Sequence, residues 1–169
     1  MRDPRGIIKS RSTNNWCGKK PHCSNVNELC QLMDQNMATA MTLKNAYSKD
    51  RITLVRYEDV TSNPYHIMEK IFGFLGLDYP IGIDKHIAEH TGMLKNHGRT
   101  RIKGKGGGDG YNSNSAQNAF QWRTKLTKQD IDSIEKHCSA ILDKLGYARY
   151  RNIKRNSDIL AKSLSEIWT

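Results

Sequence analysis

No stretch of this sequence reaches the roughly 18 to 20 consecutive apolar residues that a membrane-spanning helix requires, so any anchor must lie outside the chain. Nor do the first residues resemble a signal peptide, because Met1 is followed at once by Arg2, Asp3, Pro4 and Arg5 with no apolar core. Cysteine is scarce: Cys17, Cys23, Cys30 and Cys138 are too few and too scattered for a disulfide-scaffold miniprotein. Their spacing also fits zinc poorly, since Cys17 and Cys23 have no second close pair and His22 lies between them rather than beyond. Buried thiols, or one or two disulfides, are the expectation. Acidic residues are outnumbered, 17 Asp and Glu against 27 Lys and Arg, and the formal charge of +10 favours polyanionic partners. Nucleic acid, a phosphorylated cofactor, acidic glycans and an anionic membrane surface all qualify on charge alone.

What is present reads as one folding unit. A chain of 169 residues with 37% hydrophobic and 26% charged residues of mixed sign suits a globular domain rather than a disordered segment. The start suggests a strand end running into a helix over residues 4 to about 13, with Asp3 as cap and Pro4 at the first position, where no N–H is needed. Ser12 to Cys23 is polar and turn-rich. From Ser24 to about Tyr47, Val26, Leu29, Cys30, Met33, Met37, Ala40 and Met41 recur at helical spacing, with the methionines as core fillers. Arg51 to Tyr57 is a compact β-branched run of the kind found in a buried parallel strand. Asn63 and Pro64 open a further helix that Gly76 stops, and Asp84 to His90 suits a short one. Lys95 to Ser115 is basic, glycine-rich and almost free of apolar residues, a loop rather than core. Thr127 and Asp130 make a capping-box start for a helix whose stripe of Ile131, Ile134, Cys138, Ile141, Leu142 and Leu145 ends at Gly146. After Tyr150 the chain is basic, then weakly amphipathic, and is expected to pack loosely or to engage another surface.

The opening Arg2-Asp3-Pro4-Arg5 to Ser10-Arg11 carries the most chemistry. An arginine beside a helix N-terminus meets backbone N–H groups and a dipole that favour an anion, and phosphate is the natural guest. Arg2 can grip two phosphate oxygens, and the Ser10 hydroxyl can add a donor. On the residues alone, solvated arginines at a helix start account for the segment equally well.

Arg2-Asp3-Pro4-Arg5 followed by Ser10 resembles the 3'-phosphate-binding segment of sulfotransferases that use 3'-phosphoadenosine 5'-phosphosulfate. Leu54-Val-Arg-Tyr-Glu-Asp-Val-Thr-Ser-Asn-Pro64 with Ile71-Phe-Gly-Phe-Leu-Gly-Leu77, and Ala119-Phe-Gln-Trp-Arg-Thr-Lys-Leu-Thr127 leading to Leu145-Gly-Tyr147, resemble the same family in the same order. The nearest group is the Golgi galactose, N-acetylglucosamine and N-acetylgalactosamine 6-O-sulfotransferases. The resemblance implies an α/β fold, a three-layer parallel sheet of the P-loop NTPase-like type, here without its N-terminal strand and phosphosulfate loop. It implies that residues 1–150 are the C-terminal part of a sulfotransferase domain, with 95–118 as its basic glycine-rich loop and 151–169 as a basic tail. The implied reaction is sulfuryl transfer from 3'-phosphoadenosine 5'-phosphosulfate to a sugar 6-hydroxyl of a glycan or glycosaminoglycan, with no metal and no nucleic-acid partner. The implied setting is the Golgi lumen, in a type II membrane protein anchored by a segment outside this chain, where cysteines oxidise.

Carried over residue by residue, Arg2 and Ser10 bind the 3'-phosphate, Arg5 is a weaker neighbour, and Arg123 beside a structural Trp122 is the fourth cofactor-binding candidate. The Arg56 to Asp59 segment is expected to anchor the next helix rather than touch substrate. One departure stands out: a basic residue often found in the family about nine positions before the Trp-Arg pair is Ser113 here, which weakens the 3'-phosphate site or shifts its work to Arg99, Arg101, Lys103 or Lys105. No catalytic residue is assigned, because His22, His66, His86, His90, His97 and His137 fit no motif. His86 and His90 sit four apart without the zinc-protease pattern and read as surface residues. The alternatives are a non-catalytic truncated relative that keeps nucleotide or glycan affinity and, less favoured by motif, a basic nucleic-acid-binding module.

Overall fold

The computed structural model describes residues 1–18, 20, 22–47, 51–91 and 115–168. The elements run α1 (Pro4–Thr13), α2 (Asn15–Gly18), α3 (Val26–Ala46), α4 (Tyr57–Ser62), α5 (Pro64–Phe74), α6 (Ile83–Thr91), α7 (Ser115–Phe120), α8 (Trp122–Lys125), α9 (Lys128–His137), α10 (Ser139–Lys144) and α11 (Leu164–Ile167). Short 3-10 turns cover Tyr150–Asn152 and Asn156–Ile159. The chain divides into two compact units, Met1–Glu58 with Phe120–Thr169, and Asp59–Ala119.

In the first unit, the Asp3 side chain accepts the Arg5 N–H at 2.9 Å and Pro4 occupies the first turn, so α1 starts where the capping chemistry places it. Along α3, Leu29, Met33 and Met37 fall four apart and are buried, a single inward stripe. Helix α1 packs on α2, α3, α8 and α9, and α3 packs on α9 and α10. The apolar centre contains Trp122, Ile131, Ile134, Ile141, Leu142, Leu145 and Ile159, all essentially inaccessible. Residues 127–146, expected as one helix, form two. The break falls at Cys138, whose φ of −94° and ψ of 14° depart from the helix, and Cys138 is bonded to Cys30 of α3. The second disulfide, Cys17–Cys23, closes the turn that follows α2. All four cysteines are thus paired.

Among the described residues no strand forms, and the expected strand at 51–57 is corrected: 52–56 belongs to neither helix nor sheet and Tyr57 already begins α4. A strand needs a neighbouring ladder, and this run finds one residue of it. Met1 donates to the Val55 carbonyl at 2.7 Å and Tyr57 donates to the Met1 carbonyl at 2.8 Å, which is the parallel-ladder pattern either side of Arg56. One pair of bonds is too little for a sheet.

The segment after Tyr150 is folded onto this unit rather than loosely attached. Ile153 and Ile159 are buried, Tyr147 and Leu160 form an antiparallel bridge, and Ala161 donates to the Gly146 carbonyl at 2.9 Å. Gly146 makes that return possible. Its φ is +68°, and a Cβ there would lie 2.9 Å from the Lys162 Cβ.

The second unit contains α5 and α6, which pack on one another. Between them Gly76, at φ +67°, ends the α5 segment as the sequence suggests. Tyr79 meets Phe72 edge-on at 5.6 Å and donates to Asp84 at 2.7 Å, tying the connection to the start of α6. The basic glycine-rich loop lies outside the described residues over 95–114, and 115–118 belong to α7.

Candidate functional site

The two arginines of the opening segment are used in opposite ways. Arg5, expected as a phosphate neighbour, is fully buried and faces inward. Its Nε and Nη2 donate to Asp3, at 3.0 and 2.7 Å, while Nη1 donates to Glu135 at 2.6 Å and to the Ala148 carbonyl at 2.9 Å. The guanidinium also lies 4.1 Å from the centre of the Trp122 ring. Burial alone disfavours its charge, but the carboxylates of Asp3 and Glu135 more than reverse this and its pKa is raised. With every nitrogen engaged and no exposed surface, Arg5 holds α1 to α9 and has no place in a ligand site.

Arg56 and Glu58 are buried beside it, as the reading of that segment as an anchor requires. Arg56 Nη1 donates to the Leu145 and Lys162 carbonyls at 2.8 and 2.9 Å. Glu58 accepts the Asp3 N–H at 3.1 Å and the Tyr147 hydroxyl at 2.6 Å. Burial first, and then the nearby Asp3 carboxylate, push the Glu58 pKa above its ordinary value; the Tyr147 and Asp3 hydrogen bonds pull the other way without reversing it.

The outward side of α1 is different. Arg2 is half-buried, its guanidinium 4.7 Å from the centre of the Tyr57 ring, and its Nε is buried without a hydrogen-bond partner. Among the described residues no carboxylate pairs with Arg2. Ser10 is also half-buried on α1; its carbonyl accepts from Asn14 at 2.9 Å, while its hydroxyl makes no hydrogen bond among the described residues. Lys9 donates to Gln121 at 2.7 Å. Burial first, then the positive charges of Arg2 and Lys125, hold its pKa below the ordinary lysine value, so those two cations lie within electrostatic reach of Lys9. Motif reasoning did not single out Lys9, Gln121 or Lys125 as site candidates, although Gln121 and Lys125 lie within the Ala119 to Thr127 stretch.

Arg123 lies at one remove. Its Nη1 donates to Asn156 at 2.6 Å and its Nη2 to the Lys154 carbonyl at 3.2 Å, while Nε is buried and unpartnered. Trp122 is completely buried, its ring 6.1 Å from that of Tyr150, in the structural role expected of it. His22, His66, His86 and His137 join no cluster able to hold a metal among the described residues. Arg99, Arg101, Lys103, Lys105, His97 and Ser113 lie outside those residues.

The profile of the sulfotransferase family matches residues 1–80, the segment that opens with Arg2 and includes Arg56 to Pro64. Carbohydrate sulfotransferase 1 of Homo sapiens is 32% identical over 163 residues, covering 87% of this chain and 37% of the relative. The Danio rerio protein of the same name is 31% identical over 160 residues with the same coverage. Carbohydrate sulfotransferase 5 of Mus musculus is 24% identical over 167 residues, 87% of this chain and 40% of the relative. The chain therefore spans well under half the length of these curated relatives. No solved structure gives a significant match. With these relatives and an opening segment whose basic groups divide between core and surface, the chain belongs to the sulfotransferase family, and its relatives there are carbohydrate sulfotransferases.

Proposed function

We propose that this chain supplies the 3'-phosphate side of the donor site in an enzyme that moves a sulfuryl group from 3'-phosphoadenosine 5'-phosphosulfate to a sugar 6-hydroxyl. Arg2 and Ser10 hold the 3'-phosphate. The observation that carries the reading is the contrast within one segment: the Arg5 guanidinium is saturated by Asp3, Glu135 and the Ala148 carbonyl, whereas Arg2 Nε and the Ser10 hydroxyl have no hydrogen-bond partner among the described residues. A buried guanidinium nitrogen without a partner is costly, and an oxyanion removes the cost. Arg123, braced by Asn156 and Lys154, offers Nε as a secondary donor.

In the proposed reaction the sugar hydroxyl oxygen bonds to sulfur as the bond from sulfur to the 5'-phosphate oxygen breaks. Adenosine 3',5'-bisphosphate leaves, and the hydroxyl proton passes to a base. Such transfers depend on positioning and charge stabilisation. Here Arg2 and Ser10 orient the donor by its far phosphate; neither the base nor the groups facing the sulfuryl are assigned to residues of this chain. The relatives named above are carbohydrate sulfotransferases, which supports a carbohydrate acceptor; the reading places it on a glycan or glycosaminoglycan in the Golgi lumen, with a membrane anchor outside this chain. The two disulfides accord with an oxidising compartment. The proposed fold is the family's three-layer parallel sheet.

Calorimetric titration of the chain with adenosine 3',5'-bisphosphate tests this, with adenosine 5'-monophosphate as the control lacking the 3'-phosphate. Binding should require the 3'-phosphate and weaken at least about tenfold in Arg2→Ala, the effect of losing a charge-assisted hydrogen bond. A folded chain that binds neither nucleotide would move the non-catalytic reading to first place.

A further inference from the structure

We propose that Lys9 and Lys125 complete the anion site begun by Arg2 and Ser10, so that the 3'-phosphate is gripped from α1 and α8 together. This rests on the reading of Arg2 and Ser10 as phosphate ligands. Three observations on separate residues lead to it. First, Lys9 lies on α1 and Arg2 directly precedes its cap Asp3, with the Arg2 charge within electrostatic reach of Lys9. Second, α1 packs on α8, and Lys9 donates to Gln121 at 2.7 Å across 112 residues of sequence. That bond fixes the ammonium beside α8 yet uses one of its three N–H groups. Third, Lys125 is the last residue of α8 and within electrostatic reach of Lys9.

Some basic side chains of this unit have a carboxylate partner, Arg5 in Asp3 and Glu135, Lys144 in Asp34 and Arg149 in Asp143, while others, such as Lys44 and Arg123, donate to carbonyl or amide oxygens. Arg2, Lys9 and Lys125 have no carboxylate partner among the described residues. Gathering three such cations is unfavourable by itself; after burial, the charges of Arg2 and Lys125 add to the lowering of the Lys9 pKa. A dianionic phosphate between them turns repulsion into attraction and gives the unpartnered Arg2 Nε an acceptor. A carboxylate in the protein would relieve the repulsion permanently and remove the ligand's advantage. Lys9 and Lys125 thus act as binding residues that select for the second phosphate.

The test is calorimetry on the whole chain with adenosine 3',5'-bisphosphate and adenosine 5'-monophosphate, using Lys9→Met, Lys9→Arg and Lys125→Met beside Arg2→Ala. Each methionine variant should weaken bisphosphate binding about tenfold, as for a lost charge-assisted contact, and leave monophosphate binding unchanged. Lys9→Arg should restore most of the affinity, and the methionine variants should show a shallower salt dependence. Wild-type affinity in both methionine variants, with binding lost in Arg2→Ala, would overturn this inference and leave the proposed function standing. Absence of binding by the folded wild-type chain would overturn both. Because Lys125 is exposed, its variant remains informative even if Lys9→Met fails to fold.

Discussion

The inner and outer sides of α1 use the same chemistry to different ends. Inward, Arg5, Asp3, Glu58, Glu135 and Tyr147 form a polar network in which the one cation, Arg5, meets two carboxylates. Outward, Arg2, Lys9 and Lys125 have no carboxylate partner among the described residues. Residue type does not separate a structural arginine from a binding arginine. What separates them is whether the protein has already supplied the counter-charge.

The largest effect should come from the covalent frame of the inner side. Replacing Cys30 and Cys138 together by alanine removes a link between residues 108 apart, which should cost about 4 to 5 kcal/mol by loop-closure entropy. The link between Cys17 and Cys23, 6 apart, should be worth only about 2 kcal/mol. Urea unfolding of the two double variants checks the order. Next, Arg5→Met leaves Asp3 and Glu135 uncompensated and should destabilise by about 3 to 5 kcal/mol. Tyr147→Phe withdraws one donor from buried Glu58 and should cost about 1 to 3 kcal/mol in the same assay. If either variant left stability intact, the inner network would not be the structural element described here.

Much of this was legible beforehand, for identifiable reasons. Local chemistry placed α1, because Asp3 and Pro4 fix a helix start irrespective of the rest of the chain. The stripe Leu29, Met33, Met37 and the capping box of Thr127 and Asp130, with both reciprocal hydrogen bonds present, were local in the same sense. Non-local matters were not legible. The 51–57 run has strand composition, but a strand is a property of a pair, and its pairing partner among the described residues is Met1 alone. The interruption of the 127–146 helix at Cys138 follows a bond to a residue 108 positions away. Arg2 and Ser10 stood out by motif. The inward turn of Arg5 did not, because Glu135 and Ala148 are brought to it only by folding.

Smaller effects sharpen the contrast on the outer side. Arg2→Ala should cost the fold about 1 kcal/mol, the worth of its half-buried stacking on Tyr57. The smallest is a pH dependence. Native Glu58 binds its proton more readily than the unfolded chain does, so its contribution to stability falls as pH rises through the interval between its ordinary and raised pKa values. Below that interval the contribution is fully present. Subtracting the stability-against-pH profile of Glu58→Gln from that of the wild type should isolate this downward slope; an upward slope would contradict the assignment.

The most direct test of the central contrast is thermal unfolding of wild type and Arg2→Ala, each with and without adenosine 3',5'-bisphosphate. A ligand that binds only the native state raises the melting temperature by mass action. The account predicts nearly equal melting temperatures without nucleotide, and a nucleotide-induced rise in the wild type that Arg2→Ala loses. A marked fall in the melting temperature of Arg2→Ala without nucleotide, or an undiminished rise with it, would contradict the account, placing Arg2 with the fold rather than with the ligand.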